Sequence, residues 1–142
     1  DWMDFPDVQP SDANEGILDG TIDMIATDHA PHSAEEKSRG LEKSTMGVVG
    51  LETAFAVIYT DLVLSGKISL EMLVDRMSIA PRARFGIDSD PGFTVFSLSD
   101  EYEIDPNEFL SMGRSTPFLG KRVFGKCLLT VYDGHAVYNN IG

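Results

Sequence analysis

The fold of this chain is decided by the stretch DGTIDMIATDHAPH, which runs from residue 19 to residue 32. Its middle part, residues 21–27, is short, mostly apolar and bounded by a glycine and a polar cluster. This pattern is typical of a buried strand, although a buried turn of helix has a similar one. Three groups able to bind a metal or move a proton follow directly: Asp28, His29 and His32. In a parallel α/β barrel, active sites are built at this end of the strands.

Asp28 is the residue of this cluster best suited to chemistry. A carboxylate can ligate a divalent cation and can also accept a proton from metal-bound water. The cluster alone is ambiguous, because Asp–His pairs at strand ends also hydrogen-bond loop backbone. It is also too small, because a zinc site needs at least three ligands and a water. The only other histidine, His135, lies in a predicted hairpin. The sequence therefore predicts that part of such a site lies outside this chain.

Three helices are predicted after the cluster. The first carries an apolar stripe with spacings of four, three and four, formed by Leu51, Phe55, Ile58 and Leu62. Glu52 lies in its first turn, where the helix dipole favours a negative charge. Gly66 fits just past its end.

The second and third predicted helices are shorter. The second spans about residues 69–78, with Ser69 as its N-cap. One face of it is apolar and consists of Leu70, Leu73, Val74 and Met77. The third begins near Pro81, which suits a first helical turn, and ends at Gly86.

Both ends of the chain differ from this helical middle. Residues 1–20 are acidic and turn-rich and predict a connecting loop with a short helix near 12–18, capped by Ser11 or Asp12. From Gly92 the pattern changes to strands, first at 93–98. Residues 128–132 and 135–138, joined by Asp-Gly, predict a hairpin in which Tyr132 and Tyr138 pair.

Composition excludes several classes of function. The 142 residues carry a formal net charge of −12, which disfavours binding to nucleic acid and to anionic membrane surfaces. No apolar run approaches the roughly 20 residues of a membrane span. The single cysteine, Cys127, cannot form an intrachain disulfide, so we expect a reducing, cytoplasmic location. The chain begins with Asp1 rather than methionine, and we expect a trimmed piece of a longer protein or an artificial boundary.

Four segments resemble class I dihydroorotases of the amidohydrolase superfamily. Residues 19–32, followed by Glu35-Glu36-Lys37, resemble the last barrel strand of that family. Residues 47–53 (GVVGLET) and 109–118 (FLSMGRSTPF) resemble two further segments, the second from its C-terminal strand region. Residues 81–86 (PRARFG) match its short Asn-Pro-Ala-Arg helix, with Ala80 where asparagine is usual. The resemblance covers roughly residues 15–139.

The resemblance implies a fold and a set of site residues. The expected fold class is α/β: residues 1–90 form the C-terminal portion of a metal-dependent hydrolase (β/α)8 barrel, and 91–142 form strands of a small β-sandwich. Asp28 would be the metal-associated carboxylate and general acid or base. His32 would hydrogen-bond the substrate carboxylate, which the backbone near Met46 and Gly47 would also approach. Relatives often have proline or phenylalanine where Met46 stands. For His29, a functional role and a structural role in the turn both remain open.

The implied reaction is the reversible, zinc-dependent cyclisation of N-carbamoyl-L-aspartate to L-dihydroorotate in pyrimidine synthesis. One or two Zn²⁺ ions would bind, with their other ligands on earlier strands outside this chain, so the chain alone is predicted to be inactive. The expected partners are a small-molecule substrate, the remainder of its own barrel and a second copy in a homodimer. An association with aspartate transcarbamoylase is left open.

Two alternatives accompany this interpretation. The first is another cyclic amidohydrolase of allantoinase or hydantoinase type. Such enzymes share the aspartate at the strand end but usually vary after it, so His32 favours the dihydroorotase. The second is a non-catalytic, dihydroorotase-like structural subunit, against which the presence of both Asp28 and His32 argues.

Overall fold

The computed structural model describes residues 10–33, 47–88 and 92–141. The described residues fall into two compact units, one formed by 10–26 and 62–88 and the other by 27–33, 47–61 and 92–141. Met46 and the charged segment from residue 34 onward lie outside the described residues. The predicted division of the chain at residue 90 stays a prediction. Within the described ranges, no helix is long and apolar enough to cross a membrane.

The first unit is helical. Its helices are α1 (Pro10–Asp19), α3 (Leu70–Val74, continued by a π-helical stretch Asp75–Ile79) and α4 (Ala80–Phe85). The predicted short helix near 12–18 is therefore present, but it begins at Pro10, whose fixed φ suits a first helical position. Because Ser11 and Asp12 lie inside the helix, neither is its N-cap, and that part of the prediction is wrong.

Helix α3 begins and α4 ends where the sequence predicts. The Oγ of Ser69 accepts a hydrogen bond from the Met72 amide at 3.1 Å, which satisfies one of the free N–H groups of the first turn. Leu73 is completely buried, whereas Val74 of the predicted apolar face is exposed. Gly86 terminates α4 in the left-handed conformation, with φ 62°.

Residues 21–27 form no strand, in contrast to the prediction. The Ile25 amide donates to the Arg76 carbonyl at 3.0 Å, and the Ile22 amide donates to the Gly16 carbonyl at 2.8 Å. A parallel strand exists through pairing with neighbouring strands on its edges. The described residues provide such a partner only just beyond the stretch, as a single parallel bridge between His29 and Val48.

The second unit combines one helix with two small antiparallel sheets. Its elements are α2 (Ala54–Ile58, continued by a π-helical stretch Tyr59–Val63), β1 (Phe93–Ser97), β2 (Tyr102–Glu103), a 3-10 turn (Pro106–Glu108), β3 (Arg122–Val123), β4 (Lys126–Tyr132) and β5 (His135–Asn139). Strand β4 lies between β1 and β5, and β2 pairs with β3.

The β4–β5 hairpin turns through the predicted Asp-Gly pair. Asp133 and Gly134 have φ values of 47° and 74°, as a two-residue turn with two positive φ angles requires. The predicted pairing of the two tyrosines is wrong. The two-residue turn sets Tyr132 opposite His135, and the register shift between Thr130 and Val131 then sets Tyr138 opposite Thr130.

The core of the second unit lies under α2. Its buried side chains are Ala56, Val57, Ile104 and Val123, and Tyr102, Phe109 and Phe118 pack against them. The predicted stripe is wrong at its first position. Residues 51–53 form a turn, so Leu51 lies before the helix and is 64% exposed.

Candidate active site

The turn at residues 28–32 belongs to the second unit and begins with an unusual backbone conformation. Asp28 has a φ of 46° and an exposed side chain. Aspartate tolerates this left-handed region better than most residues, because its short carboxylate can hydrogen-bond locally. The following residues are fixed to the segment after residue 46, since the Ala30 amide donates to the Val48 carbonyl at 2.9 Å. The arrangement presents the Asp28 carboxylate at a surface held by fixed backbone.

His32 and Gly47, two predicted site residues, lie next to each other. The His32 amide donates to the Ala30 carbonyl at 3.0 Å across Pro31, which makes a tight three-residue turn. A Cβ added at Gly47 would lie 3.1 Å from Cδ2 of the His32 ring and 2.5 Å from the Ala30 Cβ. Only glycine fits this close approach, and Gly47 also has a φ of 141°. The Gly47 backbone therefore borders the His32 imidazole.

A loop from the strand region packs on the same turn. A Cβ added at Gly113 would lie 2.8 Å from the Pro31 Cα and carbonyl carbon. Two residues later, the Ser115 carbonyl accepts the Val49 amide at 2.8 Å. The segment that resembles a family strand region is a loop here. Sequence reasoning missed the contact of Gly113, for which the only signal was a glycine in a non-repetitive segment.

His29 supports the turn from inside. Its Nδ1 accepts hydrogen bonds from the amides of Leu51, at 3.1 Å, and Gly50, at 3.3 Å. A nitrogen that accepts two N–H groups carries no proton, so the ring proton of neutral His29 lies on Nε2. Of the two roles left open for His29, this geometry favours the structural one.

Replacing His29 with alanine is expected to lower the free energy of unfolding by about 1–2 kcal/mol, because two amides lose their acceptor. His29→Asn should retain most of the stability, since its Oδ1 occupies the position of Nδ1, whereas His29→Gln should not. Urea denaturation of the three variants measures the difference. Equal losses for asparagine and glutamine would contradict the role assigned to Nδ1.

Glu52 joins this cluster and was not identified from the sequence, which predicted only a favourable place near a helix start. Its Oε2 accepts the Leu110 amide at 2.8 Å. Its Oε1 accepts the Ser111 amide at 3.0 Å and the Ser111 hydroxyl at 2.5 Å. Partial burial acts to raise the pKa of Glu52, but the hydrogen bonds from Ser111 and Leu110 outweigh it and hold the pKa below its usual value. The carboxylate is therefore charged at neutral pH.

The described residues contribute few metal ligands. Within 10–33, 47–88 and 92–141, no group of three His, Cys, Asp or Glu side chains is placed to hold a metal ion. Of the candidate ligands at the turn, Asp28 is exposed, and Nδ1 of His29 is engaged with backbone amides. The described residues of this turn therefore fit a metal only as part of its ligand set, with the remaining ligands supplied from elsewhere.

The chain is similar in sequence to known enzymes. No protein-family model matches the chain. A dihydroorotase of Bacillus cereus (strain B4264) is 46% identical over 127 residues, which cover 84% of this chain and 30% of that protein. A dihydroorotase of Ligilactobacillus salivarius is 46% identical over 132 residues, covering 87% of this chain and 31% of the relative. The chain thus spans less than a third of the length of these curated relatives.

Solved structures give the same fold. An L-hydantoinase (dihydropyrimidinase) from Arthrobacter aurescens superposes with a TM-score of 0.79 at 30% identity, over 90% of this chain and 31% of that one. A dihydropyrimidinase from Brevibacillus agri superposes with a TM-score of 0.82 at 23% identity and the same coverage.

The fold class is therefore α/β, a portion of an amidohydrolase-superfamily (β/α)8 barrel with strands of a small sandwich, as the sequence predicted. Within that superfamily, the predicted resemblance to the C-terminal part of dihydroorotases is confirmed.

Proposed function

We propose that this chain is part of a dihydroorotase, which interconverts N-carbamoyl-L-aspartate and L-dihydroorotate. One observation carries the proposal: an exposed Asp28, with a positive φ, lies in the same turn as His32, whose ring borders the Gly47 backbone. The identity of 46% to dihydroorotases supports the choice of substrate. The roles below extend this proposal to individual residues.

Asp28 is the general acid and base. In the ring-opening direction, water adds to the carbonyl carbon of the ring amide and the C–N bond breaks. Asp28 takes the proton of the attacking water and returns it to the departing nitrogen, and ring closure reverses both transfers. Solvent exposure of its side chain is consistent with access to a substrate.

His32 and the backbone around Met46 and Gly47 bind the substrate carboxylate. An imidazole and peptide N–H groups are donors that a carboxylate accepts. The support for this role is the contact between Gly47 and the His32 ring, which would let both residues approach one carboxylate. Met46 enters the proposal only through the resemblance.

The cofactor is Zn²⁺, as one or two ions, with Asp28 as the ligand from this chain. Bound zinc supplies an electrophile for the carbonyl oxygen and lowers the pKa of water. With a single suitable carboxylate at the described turn, this chain alone is expected to be inactive. We further propose a cytoplasmic enzyme whose protein partners are the remainder of its barrel and a second copy of itself, with aspartate transcarbamoylase as a possible further partner.

A second candidate function is that of a hydantoinase or dihydropyrimidinase, another cyclic amidohydrolase. The structural match to the L-hydantoinase at 30% identity favours it. The higher identity to dihydroorotases and the presence of His32 after Asp28 favour the first candidate.

The full-length gene product should decide between them. It is expected to hydrolyse L-dihydroorotate, to be at least about tenfold less efficient with hydantoin, dihydrouracil and allantoin, and to lose activity in a chelator. Restoring Zn²⁺ should restore activity, and Asp28→Ala should remain inactive. A preference for hydantoin or dihydrouracil would select the second candidate. Inactivity towards all four substrates, in a folded and zinc-loaded protein, would support the non-catalytic subunit.

A further inference from the structure

Glu52 is the group that attaches the loop 110–115 to the candidate active site. Three donors converge on its carboxylate: the Leu110 amide, the Ser111 amide and the Ser111 hydroxyl. We propose that Glu52 is a positioning residue, which fixes this loop against Pro31 and His32 and thereby sets the geometry of the turn that carries Asp28. The proposal rests on the proposed function only for its effect on catalysis.

Phe109 and Phe118 pack against the core on either side of the loop, but the apolar side chains within it contribute little burial. The side chains of Leu110 and Met112, on either side of Ser111, are 78% and 85% exposed. Between these two phenylalanines, the loop is held by polar contacts and by close backbone packing. Two such polar contacts lie in the second unit: the Glu52 carboxylate binds the start of the loop, and the Val49 amide donates to the Ser115 carbonyl at its end.

Gly113 lies between these two attachments and packs on the turn, so the position of the loop restricts the position of the turn. It is buried, and a Cβ built on it would lie 2.8 Å from Pro31 backbone and 3.0 Å from the His32 carbonyl oxygen. A glycine packed so closely on backbone that no Cβ would fit leaves little freedom for either segment. A loop released from Glu52 would leave that side of the turn unsupported.

Only a carboxylate satisfies the three donors. The two oxygens of glutamate accept from both sides, whereas glutamine must turn its NH₂ group towards at least one backbone N–H. Glu52→Gln therefore keeps the size of the side chain but directs the glutamine NH₂ group at the backbone N–H of Leu110 or Ser111. The matched control is Glu15→Gln, which removes the same charge from an exposed site on α1.

Hydrogen exchange in the full-length, zinc-loaded protein tests the proposal without reference to activity. The Ala30 amide donates to the Val48 carbonyl and the His32 amide to the Ala30 carbonyl, so both report opening of the turn. We expect Glu52→Gln to speed their exchange by about tenfold or more and Glu15→Gln to leave it unchanged. Gly113→Ala, which presses on the turn directly, should speed the same amides. Unchanged exchange at Ala30 and His32 in Glu52→Gln would overturn the proposal.

Kinetics then separate positioning from a loss of folded protein. With the folded fraction measured by thermal denaturation, a displaced His32 should raise KM for dihydroorotate about tenfold in Glu52→Gln. A lower active fraction alone would reduce kcat and leave KM as in the parent, and that result would also count against positioning. If the parent protein does not turn over dihydroorotate, the proposed function fails, and the exchange measurement still decides the role of Glu52.

Discussion

Replacing Asp28 with asparagine is expected to lower kcat for dihydroorotate by about 10²–10⁴-fold, the usual contribution of a general acid or base. Asparagine keeps the shape of the side chain and cannot exchange a proton with the substrate. It is also, like aspartate, one of the few residues that readily adopt the positive φ of this position. The substitution therefore removes the chemistry without introducing backbone strain.

Stability measurements distinguish this effect from a structural one. Asp28→Asn should unfold at nearly the parent temperature, because the exposed carboxylate contributes little to packing. Asp28→Ala should be equally inactive but less stable, since a Cβ without a polar group is disfavoured at a φ of 46°. Activity of Asp28→Asn within tenfold of the parent, in the presence of zinc, would exclude Asp28 as the proton-transfer group.

The sequence predicted those features that depend on neighbours along the chain. Ser69 caps α3, Gly86 ends α4, and Asp133-Gly134 turns the hairpin, because each needs only a few local hydrogen bonds or a positive φ. That turn also sets Tyr132 opposite His135, which already excludes the predicted tyrosine pair, but the register further along the hairpin was not predictable. A shift between Thr130 and Val131 places Tyr138 opposite Thr130, and an irregularity of one residue leaves no trace in an alternating pattern.

Contacts between distant residues determine what sequence reasoning missed. The first helix was expected to include Leu51, but His29 binds the amides of Gly50 and Leu51 and the helix begins at Ala54. For Glu52, the sequence predicted only a favourable interaction with the dipole of a helix start. Its partners are 58 and 59 residues away, a separation that a single sequence gives no means to predict.

In the candidate site too, some residues were predictable from the sequence and others, which depend on distant contacts, were not. The resemblance identified Asp28, His32 and Gly47 as site residues. In the structure, Asp28 begins the turn that contains His32, and Gly47 borders the His32 ring. The close approach of Gly113 to Pro31 depends on the path of a loop without regular structure. Motif residues are recognisable because their chemistry limits the choice of side chain, whereas the residues that support them are limited only by the shape of the surroundings.

Replacing Gly47 with alanine is expected to be the most damaging small substitution at the site, lowering the free energy of unfolding by roughly 2–5 kcal/mol through overpacking and a strained φ. The added Cβ would lie 2.5 Å from the Ala30 Cβ and 2.9 Å from its carbonyl oxygen, and neither atom can rotate away. The His32 ring, 3.1 Å from the same position, must also shift, so KM for dihydroorotate should rise.

Gly66→Ala is the matched control for that substitution. Gly66 also has a positive φ, 76°, but a Cβ there meets no atom within 4 Å, so alanine introduces backbone strain without a collision. Its cost should be about 1–2 kcal/mol, and its KM should match the parent. Urea denaturation and steady-state kinetics compare both variants, and the excess loss in Gly47→Ala measures the close approach together with the greater strain of its φ of 141°. Equal losses of stability, with no change in KM for either variant, would contradict this prediction. The turn would then adjust to an added methyl group, and so mobile a turn could not hold Asp28 and His32 in a fixed geometry.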